Sequence, residues 1–525
     1  MPKVLIADQM SDVAAQVFTA NGIDVLVATG LAADALAAEL AGVDGLVVRS
    51  STQVSAALLA AAGALKVVGR AGSGVDNVDV AAATARGVVV MNAPFGNAIT
   101  TAEHAIAMIM ALTRRIPAAD ASTRAGKWEK SRFMGTEVAG KLLGLIGCGN
   151  IGAIVANRAQ GLKMRVLVHD PFVSTERADE LGVEKVALDE LLARADFISL
   201  HVPLTDATRG MIDAAALAKT KPGVRVINCA RGGLVVEADL VAALESGHVA
   251  GAALDVFAEE PAIDNPLFAF DQVIVTPHLG ASTTEAQENV ARQIAEQMSD
   301  FLLTGAVTNA LNMPSVTAEE APKLRPYMRL AEQLGGFAGQ LTATGLVAVT
   351  VEYEGHAAEL NTRALTAIVL AGLLAPLMDS VNMVNAPLVA RERNIAVSET
   401  SHARRGDYQT LIRVTVTTER RSRSVAGTLF GDNKPRVVEI KGIKIEAELG
   451  HHMLYITNQD KPGIIGHLGM ALADGGVNIA TFHLGRAEAG GDAIALIEVD
   501  GALPDDVLAK VRAIDGVHQA AALNF

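Results

Sequence analysis

Aromatic side chains make up only 3% of the 525 residues, with a single tryptophan. The cores must therefore be filled by Ala, Val, Leu and Ile, a mix that suits helices packed on parallel sheets. Cysteine is nearly absent. The two present, Cys148 and Cys229, lie in unrelated stretches; this excludes a disulfide framework, gives no metal-ligand spacing and points to a reducing compartment. Basic residues are outnumbered, 44 Lys and Arg against 58 Asp and Glu, for a net charge of −14. The mean field repels phosphate backbones, so no nucleic-acid partner is expected, although local basic pockets stay open to small anions. Long hydrophobic runs are missing as well. The longest, residues 367–378, is well short of the roughly 20 residues that span a bilayer, so no membrane segment is expected. The start, MPKVLIADQM, runs into a strand-like segment without a small-residue cleavage site; it does not read as a signal peptide, and a cytoplasmic location is expected.

A chain of this length exceeds what one core organises, and three or four domains are expected. Over residues 3–90 short β-branched runs (KVLIAD, GIDVLVA, VDGLVVRS, LKVVGRAG, GVVVMN) alternate with Ala-rich stretches, the signature of βαβ units on a parallel sheet. Thr100-Thr101-Ala102-Glu103 has capping-box spacing ahead of HAIAMIMAL, so a helix is predicted to begin near Thr100 and, apolar on most faces, to be buried between domains or subunits. A second βαβ series follows in KLLGLIG, MRVLVHD, ADFISLHVP, VRVINCARG, GAALDVF and QVIVTPH. A helix over 286–301 carries the chain away, and residues 312–326 read as a linker or domain entry. Longer alternating strands (LVAVTVEYEG, TLIRVTVTTE, VVEIKGIKIEAEL) around a helix over 362–378 then predict an α+β domain. The last 75 or so residues give β-α-β-β-α-β order, as in a ferredoxin-like unit.

Gly147-Cys148-Gly149-Asn150-Ile151-Gly152 fits G-x-G-x-x-G. It follows the strand LLGLI and opens a helix, so its glycines permit a tight turn, close approach of backbone to pyrophosphate, and close helix packing. Asp170 lies eighteen residues beyond Gly152, where a carboxylate accepts both ribose hydroxyls and repels a 2′-phosphate. NAD is therefore expected over NADP.

Three strand-end segments stand out: Asn228-Cys229-Ala230-Arg231-Gly232-Gly233, Asp255-Val256-Phe257-Ala258-Glu259-Glu260-Pro261, and Pro277-His278-Leu279-Gly280-Ala281. With the glycine fingerprint they resemble the D-isomer-specific 2-hydroxyacid dehydrogenases over residues 3–310. The resemblance implies that Arg231, Glu260 and His278 are catalytic, and it selects Glu260 over the adjacent Glu259. It also implies that Cys229, Ala230, Arg231, Asp255, His278, Gly280 and Ala281 border the cofactor. The chemistry suits the residue types. An arginine clamps a carboxylate bidentately, an imidazole takes a hydroxyl proton near neutral pH, and a carboxylate on the other ring nitrogen fixes the tautomer and raises the histidine pKa. His104, His169 and His201 lack such company and are expected to be structural.

Fold and catalytic residues shared across a family cannot name the substrate. In the first unit Arg49, Ser50, Arg70, Gly72, Ser73 and Asn97 fall at predicted strand ends and, with Arg231, resemble the substrate-side residues of long-form members that act on 3-phosphoglycerate. Arg49 and Arg70 could hold phosphate or carboxylate, or serve as structural ion pairs; Lys130 and Arg132 could add charge. The C-terminal unit, with Asn458-Gln459-Asp460-Lys461-Pro462-Gly463 and Gly475-Gly476-Val477-Asn478, resembles an ACT domain, a small ligand-sensing module that binds amino acids where a strand-to-helix turn meets a partner subunit. That resemblance implies an L-serine effector at Asn458, Asp460 and Asn478, or a unit that serves only assembly. Asn458 stands where some relatives carry an aromatic residue.

The expected architecture is α/β: two doubly wound Rossmann-like domains, an α+β intervening domain and a ferredoxin-like ACT domain. The boundaries are 1–98 plus 287–312 for substrate, 99–286 for NAD, 313–450 for the intervening domain and 451–525 for the ACT domain. Oxidation of 3-phosphoglycerate to 3-phosphohydroxypyruvate, the first step of serine synthesis, is the implied reaction in a homodimer or homotetramer. The alternatives are a hydroxypyruvate or glyoxylate reductase and an NAD-sensing corepressor-like protein, against which the intact Arg231, Glu260 and His278 count.

Overall fold

The computed structural model describes residues 1–316, 319–342, 345–378, 381–402, 406–431 and 433–525. The first sheet contains β1 (Lys3–Ile6), β2 (Asp24–Val27), β3 (Gly45–Val48), β4 (Val67–Arg70) and β5 (Val89–Asn92), all parallel, in the order β2-β1-β3-β4-β5. Strands buried on both faces have no reason to alternate, which is why they read as unbroken Val, Leu and Ile runs. The helix Thr284–Thr304 returns to this sheet and places Val290, Ala291, Ile294 and Met298 in one core with Val67, Val89 and Met91.

The second sheet contains β6 (Leu142–Ile146), β7 (Arg165–His169), β8 (Glu184–Lys185), β9 (Phe197–Leu200), β10 (Val224–Asn228), β11 (Val249–Leu254) and β12 (Val273–Val275). They lie parallel in the order β12-β11-β10-β9-β6-β7-β8. Winding reverses between β6 and β9, and ligands of such sheets bind in the crevice at the carboxyl ends there. The two-residue β8 was not predicted.

The helix after β5 spans Ala98–Arg114 and starts two residues before the predicted Thr100. Its cap residue is Asn97, whose side chain does not cap the helix because its Oδ1 accepts from Ser73 Oγ at 2.6 Å. Ala102, Ala105, Met108, Ile109 and Leu112 face the core of the second unit, while Ile99 is exposed.

The third sheet contains β13 (Leu346–Gly355), β14 (Ala396–His402), β15 (Thr410–Thr418), β16 (Ser422–Phe430), β17 (Lys434–Ile440) and β18 (Ile443–Ala447), ordered β14-β13-β15-β16-β17-β18. Only the β13–β14 pairing is parallel. The run predicted as a single strand is the hairpin β17–β18, turned at Lys441-Gly442, both at positive φ. Neither β14 nor β16 was predicted. Of the segment read as a linker or domain entry, residues 317 and 318 lie outside the described residues, and from Ala321 the chain enters a helix that runs through Gln340, with Pro326 inside. That helix and Thr362–Leu374 cover one face of the sheet.

The fourth sheet contains β19 (His452–Gln459), β20 (Ile479–Arg486), β21 (Asp492–Val499) and β22 (Val517–Asn524), antiparallel in the order β20-β21-β19-β22. Helices Ile464–Asp474 and Asp505–Arg512 complete the βαββαβ unit. Its strands serve two cores. Leu454, Ile456 and Ile497 pack with its own helices, while Met453, Tyr455, Leu496 and Leu523 join the core of the third sheet. Among the described residues no helix is long and apolar enough to cross a membrane.

Candidate active site

The three strand-end segments converge beyond β10, β11 and β12. His278 has φ 56°, an uncommon conformation for a residue with a side chain. Its backbone is fixed by N–H donation to Asp255 O at 2.9 Å, and its ring Nδ1 donates to Glu260 Oε2 at 2.7 Å. The hydrogen bond donated to Glu260, reinforced by that residue's charge, raises the His278 pKa above the ordinary imidazole value against the opposing effect of burial. Burial would raise the Glu260 carboxyl, but bonds from His278 and from Phe257 N–H (3.0 Å) hold it low. Nδ1 is thereby committed, leaving Nε2 to meet a substrate proton.

Asp255 is fully buried and works on backbone. It accepts from Leu279 N (2.7 Å), Gly280 N (2.8 Å) and Thr276 Oγ1 (2.6 Å), with His104 Nε2 at 3.3 Å. Burial opposes its ionisation, yet these bonds keep its pKa below the ordinary carboxylate value. The residue therefore shapes the loop that carries His278, and His104 supports it in a structural capacity.

Arg231 sits on a loop held by Asn228, whose Nδ2 donates to Arg231 O at 2.8 Å. Its Nε donates to Asp76 Oδ2 of the first unit at 2.8 Å. Gly232 permits the arginine and glutamate loops to touch: a Cβ there would lie 1.9 Å from the carbonyl of Phe257. Glu237 ties the second loop down, accepting from Ala258 N–H and Asn265 Nδ2 at 2.7 Å each. Cys229 is buried, which pushes its thiol pKa up, and Ala230 N–H donates to Asn228 Oδ1 at 3.1 Å. At the far end Ala281 O accepts from Gln287 Nε2 at 2.8 Å.

Across the cleft, Asp8 at the end of β1 accepts from Arg49 N–H (2.6 Å) and from Thr52 Oγ1 (2.7 Å), which fixes the Arg49-Ser50 corner. Asn77 Nδ2 donates to Arg49 O at 2.6 Å. Arg70 and Arg231 both lie against the Gly72-Ser73-Gly74 backbone: added Cβ atoms at Gly72 and Gly74 would fall 1.7 and 1.8 Å from their guanidinium nitrogens. Burial, then the like charges of Arg231 and Arg49, lower the Arg70 pKa to about 10, and its Nε is buried with no partner. Arg49, Arg70 and Arg231 thus face one small volume where anionic oxygens would complete them. Arg132 stands apart from this group. It pairs with Glu129 and with Asp271, which precedes β12 and so lies at the opposite end of that sheet.

The glycine fingerprint closes the turn after β6. Gly147 is at φ 93°, and a Cβ there would lie 2.5 Å from His201 O; one on Gly152 would lie 2.2 Å from Gly147 O. A Cβ on Gly149 would meet nothing within 4 Å, so the backbone there opens onto free space at the start of the helix Asn150–Gly161. Ile151 follows in the first turn. Asp170 accepts from Cys148 N and Phe172 N at 2.8 Å each, keeping free lone pairs beside that helix start. Free N–H groups and a fixed carboxylate are what a pyrophosphate and a ribose diol require, and the residues fit NAD. His201, beside the turn, has its pKa lowered to about 4 by burial and bonds Ser199 Oγ at 2.9 Å, a structural arrangement.

The effector candidates are not together in one chain. Asp460 accepts from Arg486 (3.0 Å) and Gly490 N (3.1 Å), Asn458 is buried next to it, and Asn478 donates to Asp500 at 2.8 Å. Asn458 is level with Ala493 and so with Arg486, whereas Asn478 precedes the other end of β20. Motif reading missed Asp8, Asp76 and Glu237. Asp8 ends the run KVLIAD, and a carboxylate directly after a strand was the available signal there.

The family model described as the NAD binding domain of D-isomer specific 2-hydroxyacid dehydrogenases matches residues 106–280. Models of the D-3-phosphoglycerate dehydrogenase intervening domain and of the ACT domain match residues 323–441 and 452–516. The chain is 43% identical over 529 residues to a D-3-phosphoglycerate dehydrogenase from Synechocystis sp., covering 99% of this chain and 94% of that one. It is 43% identical over 518 residues to a protein of the same description from Bacillus subtilis, covering 98% of each. Among solved structures, a glyoxylate reductase from Paecilomyes thermophila matches 59% of this chain and 98% of its own, at 28% identity and a TM-score of 0.56.

Proposed function

The chain belongs to the D-3-phosphoglycerate dehydrogenases, and from that premise we propose how its residues divide the work of oxidising 3-phosphoglycerate to 3-phosphohydroxypyruvate, the first step of L-serine synthesis. NAD, when bound, accepts the hydride from C2 of the substrate. Arg231 clamps the substrate carboxylate, and Arg49 and Arg70, with Ser50, Ser73, Asn97 and the exposed backbone around Gly72, receive the remaining anionic and hydroxyl oxygens. His278 Nε2 takes the C2 hydroxyl proton, and Glu260 stabilises the imidazolium this forms. Gly147, Gly149, Asn150, Ile151 and Gly152 cradle pyrophosphate, Asp170 holds ribose, and Cys229, Ala230, Gly280 and Ala281 wall the nicotinamide end. Asp255 acts as a positioning residue.

The observation that carries this reading is the 2.7 Å His278–Glu260 pair on the same rim as Arg231, opposite two further arginines. His278→Ala should lose turnover by orders of magnitude while NAD binding, read by calorimetry, is kept; near-normal turnover sinks the assignment. Assaying 3-phosphoglycerate, D-lactate and D-glycerate in parallel tests the substrate, and comparable rates on the unphosphorylated acids would favour a general hydroxy-acid enzyme.

The division 1–98 plus 287–312, 99–286, 313–450 and 451–525 follows the four sheets and the return of the helix Thr284–Thr304. The two buried free thiols suit the cytoplasm. The ACT domain is consistent with L-serine regulation through Asn458, Asp460 and Asn478 in a homodimer or homotetramer. Calorimetry without serine binding would remove that regulation and leave catalysis untouched.

A further inference from the structure

A cavity of about 690 Å³ lies where the intervening domain meets the substrate domain, within the range of about 300–1,000 Å³ that takes small molecules. The helix Thr362–Leu374, the helix Ala386–Glu392 and the edge strand β14 wall it, and Thr84 and Asn312 close it on the substrate-domain side. That side is well anchored. Asn312 Oδ1 accepts from Val90 N at 2.9 Å and its Nδ2 donates to Val88 O at 2.8 Å. Across the joint Asn382 Nδ2 donates to Gly87 O at 3.0 Å, and Val384 is buried in the core of the first sheet.

Leu370, Leu388, Ile395 and Val397 give the cavity an apolar stretch. At one end of it stand two opposite charges, Arg363 and Glu399, both exposed. Among the described residues neither makes a hydrogen bond or ion pair, with the other or with any third group. The strand register brings them to one corner. Glu399 is level with Val351, two residues before Tyr353, whose hydroxyl is 2.7 Å from Thr366 Oγ1 and 3.3 Å from Thr362 O. Arg363 follows Thr362 on that helix. Burial raises the Tyr353 hydroxyl pKa and the charge of Glu399 adds to the rise, so the carboxylate faces the same corner. The third charge, Arg391, precedes the start of β14, which pairs with Ala348 at the other end of β13.

We propose that this cavity binds an α-amino acid with a large apolar side chain, its carboxylate on Arg363, its ammonium on Glu399 and its side chain along Leu370, Leu388 and Ile395. A simple anion is drawn to Arg363 and repelled by Glu399, and a simple cation the reverse; a zwitterion satisfies both. The apolar stretch then selects by side chain, since only an apolar group gains by leaving water there. L-Serine leaves that stretch empty, so the site differs in place and in chemistry from the effector candidates of the ACT domain. Its occupant touches walls from both domains and tightens their joint.

Calorimetry on the full-length enzyme tests this with L-leucine and L-phenylalanine, and with 4-methylpentanoate and 3-methylbutylamine, which lack the ammonium and the carboxylate of leucine respectively. The two amino acids should bind at one site per chain and raise Tm, and the two analogues should bind at least tenfold more weakly than leucine. Arg363→Gln and Glu399→Gln should each weaken L-leucine at least tenfold and leave turnover on 3-phosphoglycerate, and Tm without ligand, as in the wild type. Arg391→Gln, at the far end, should leave L-leucine binding unchanged, and L-serine should not compete. No saturable binding of either amino acid at millimolar concentration, equal affinity for leucine and its analogues, wild-type isotherms in both Arg363→Gln and Glu399→Gln, loss of binding in Arg391→Gln, or competition by L-serine would each overturn the site.

Discussion

At the residue scale the His278 imidazole is tuned by one neighbour, and the sign of that tuning is measurable. The hydrogen bond it donates to Glu260 raises its pKa, and oxidation needs the neutral ring, so activity should climb as pH rises through the folded value. Glu260→Gln removes the charge that favours imidazolium. The acid limb of the kcat profile should move to lower pH while the plateau falls about 100-fold, as expected when a general base loses its partner; an unmoved limb would show that Glu260 does not set the histidine. Asp76 makes a second case. Its carboxylate holds Arg231 Nε at 2.8 Å, where a substrate carboxylate would bind, so the two compete. Asp76→Asn should lower KM for 3-phosphoglycerate several-fold with kcat little changed, and a raised KM would mean that Asp76 positions the arginine instead. Arg231 was legible because its segment resembles the family's motif, and an arginine suits a substrate carboxylate. Asp76 was not, since an acidic residue in a Gly-rich corner carries no mark of what crosses the cleft to meet it.

Between elements, two contacts decide whether the site assembles. Gly232 lets the loop after β10 lie directly on the loop after β11; with a Cβ 1.9 Å from the Phe257 carbonyl, Gly232→Ala must push Arg231 and Glu260 apart. Overpacking of this kind costs about 1–3 kcal/mol, so Tm should drop by a few degrees and kcat/KM by far more than that loss of stability explains. The second contact is Asp170 beside the fingerprint turn. Its charge stands where a 2′-phosphate would fall, and Asp170→Ser should narrow the NAD-over-NADP preference by at least tenfold in kcat/KM; an unchanged ratio would place the discrimination elsewhere. Element by element, the parallel strands were legible because burial on both faces leaves unbroken apolar runs. What failed has local causes. β8 is two residues at a sheet edge, too short to show a period. The β17–β18 hairpin hid because Lys441-Gly442 adopts a positive-φ turn without an Asn-Gly or Asp-Gly signal. The helix start near Thr100 was misplaced because Asn97, the actual cap residue, spends its side chain on Ser73. Exposed β14 lacks the apolar alternation that would reveal it.

For the whole molecule, the catalytic and effector candidates differ in how many copies of the chain they need. Arg49, Arg70, Arg231, Glu260 and His278, the proposed catalytic and substrate residues, come from two domains of a single chain, so no second copy is needed to bring them together. Asp460 and Asn478 are separated by β20, eight residues long, which at about 3.3 Å per residue is about 25 Å, too far for one amino acid to touch both. That separation agrees with the expectation that an ACT domain binds its ligand where a strand-to-helix turn meets a partner subunit. A serine site built from both therefore takes Asp460 from one copy and Asn478 from another across a two-fold axis, and subunit mixing tests this. Asp460→Ala and Asn478→Ala homodimers would each lack every intact site. A hybrid of the two has one site carrying both substitutions and one carrying neither. Random reassortment of equal amounts should restore roughly a quarter of the wild-type serine binding, read by calorimetry, with turnover in the absence of serine equal in all samples. No recovery on mixing, with binding in the wild type intact, would mean that serine contacts only one of the two residues.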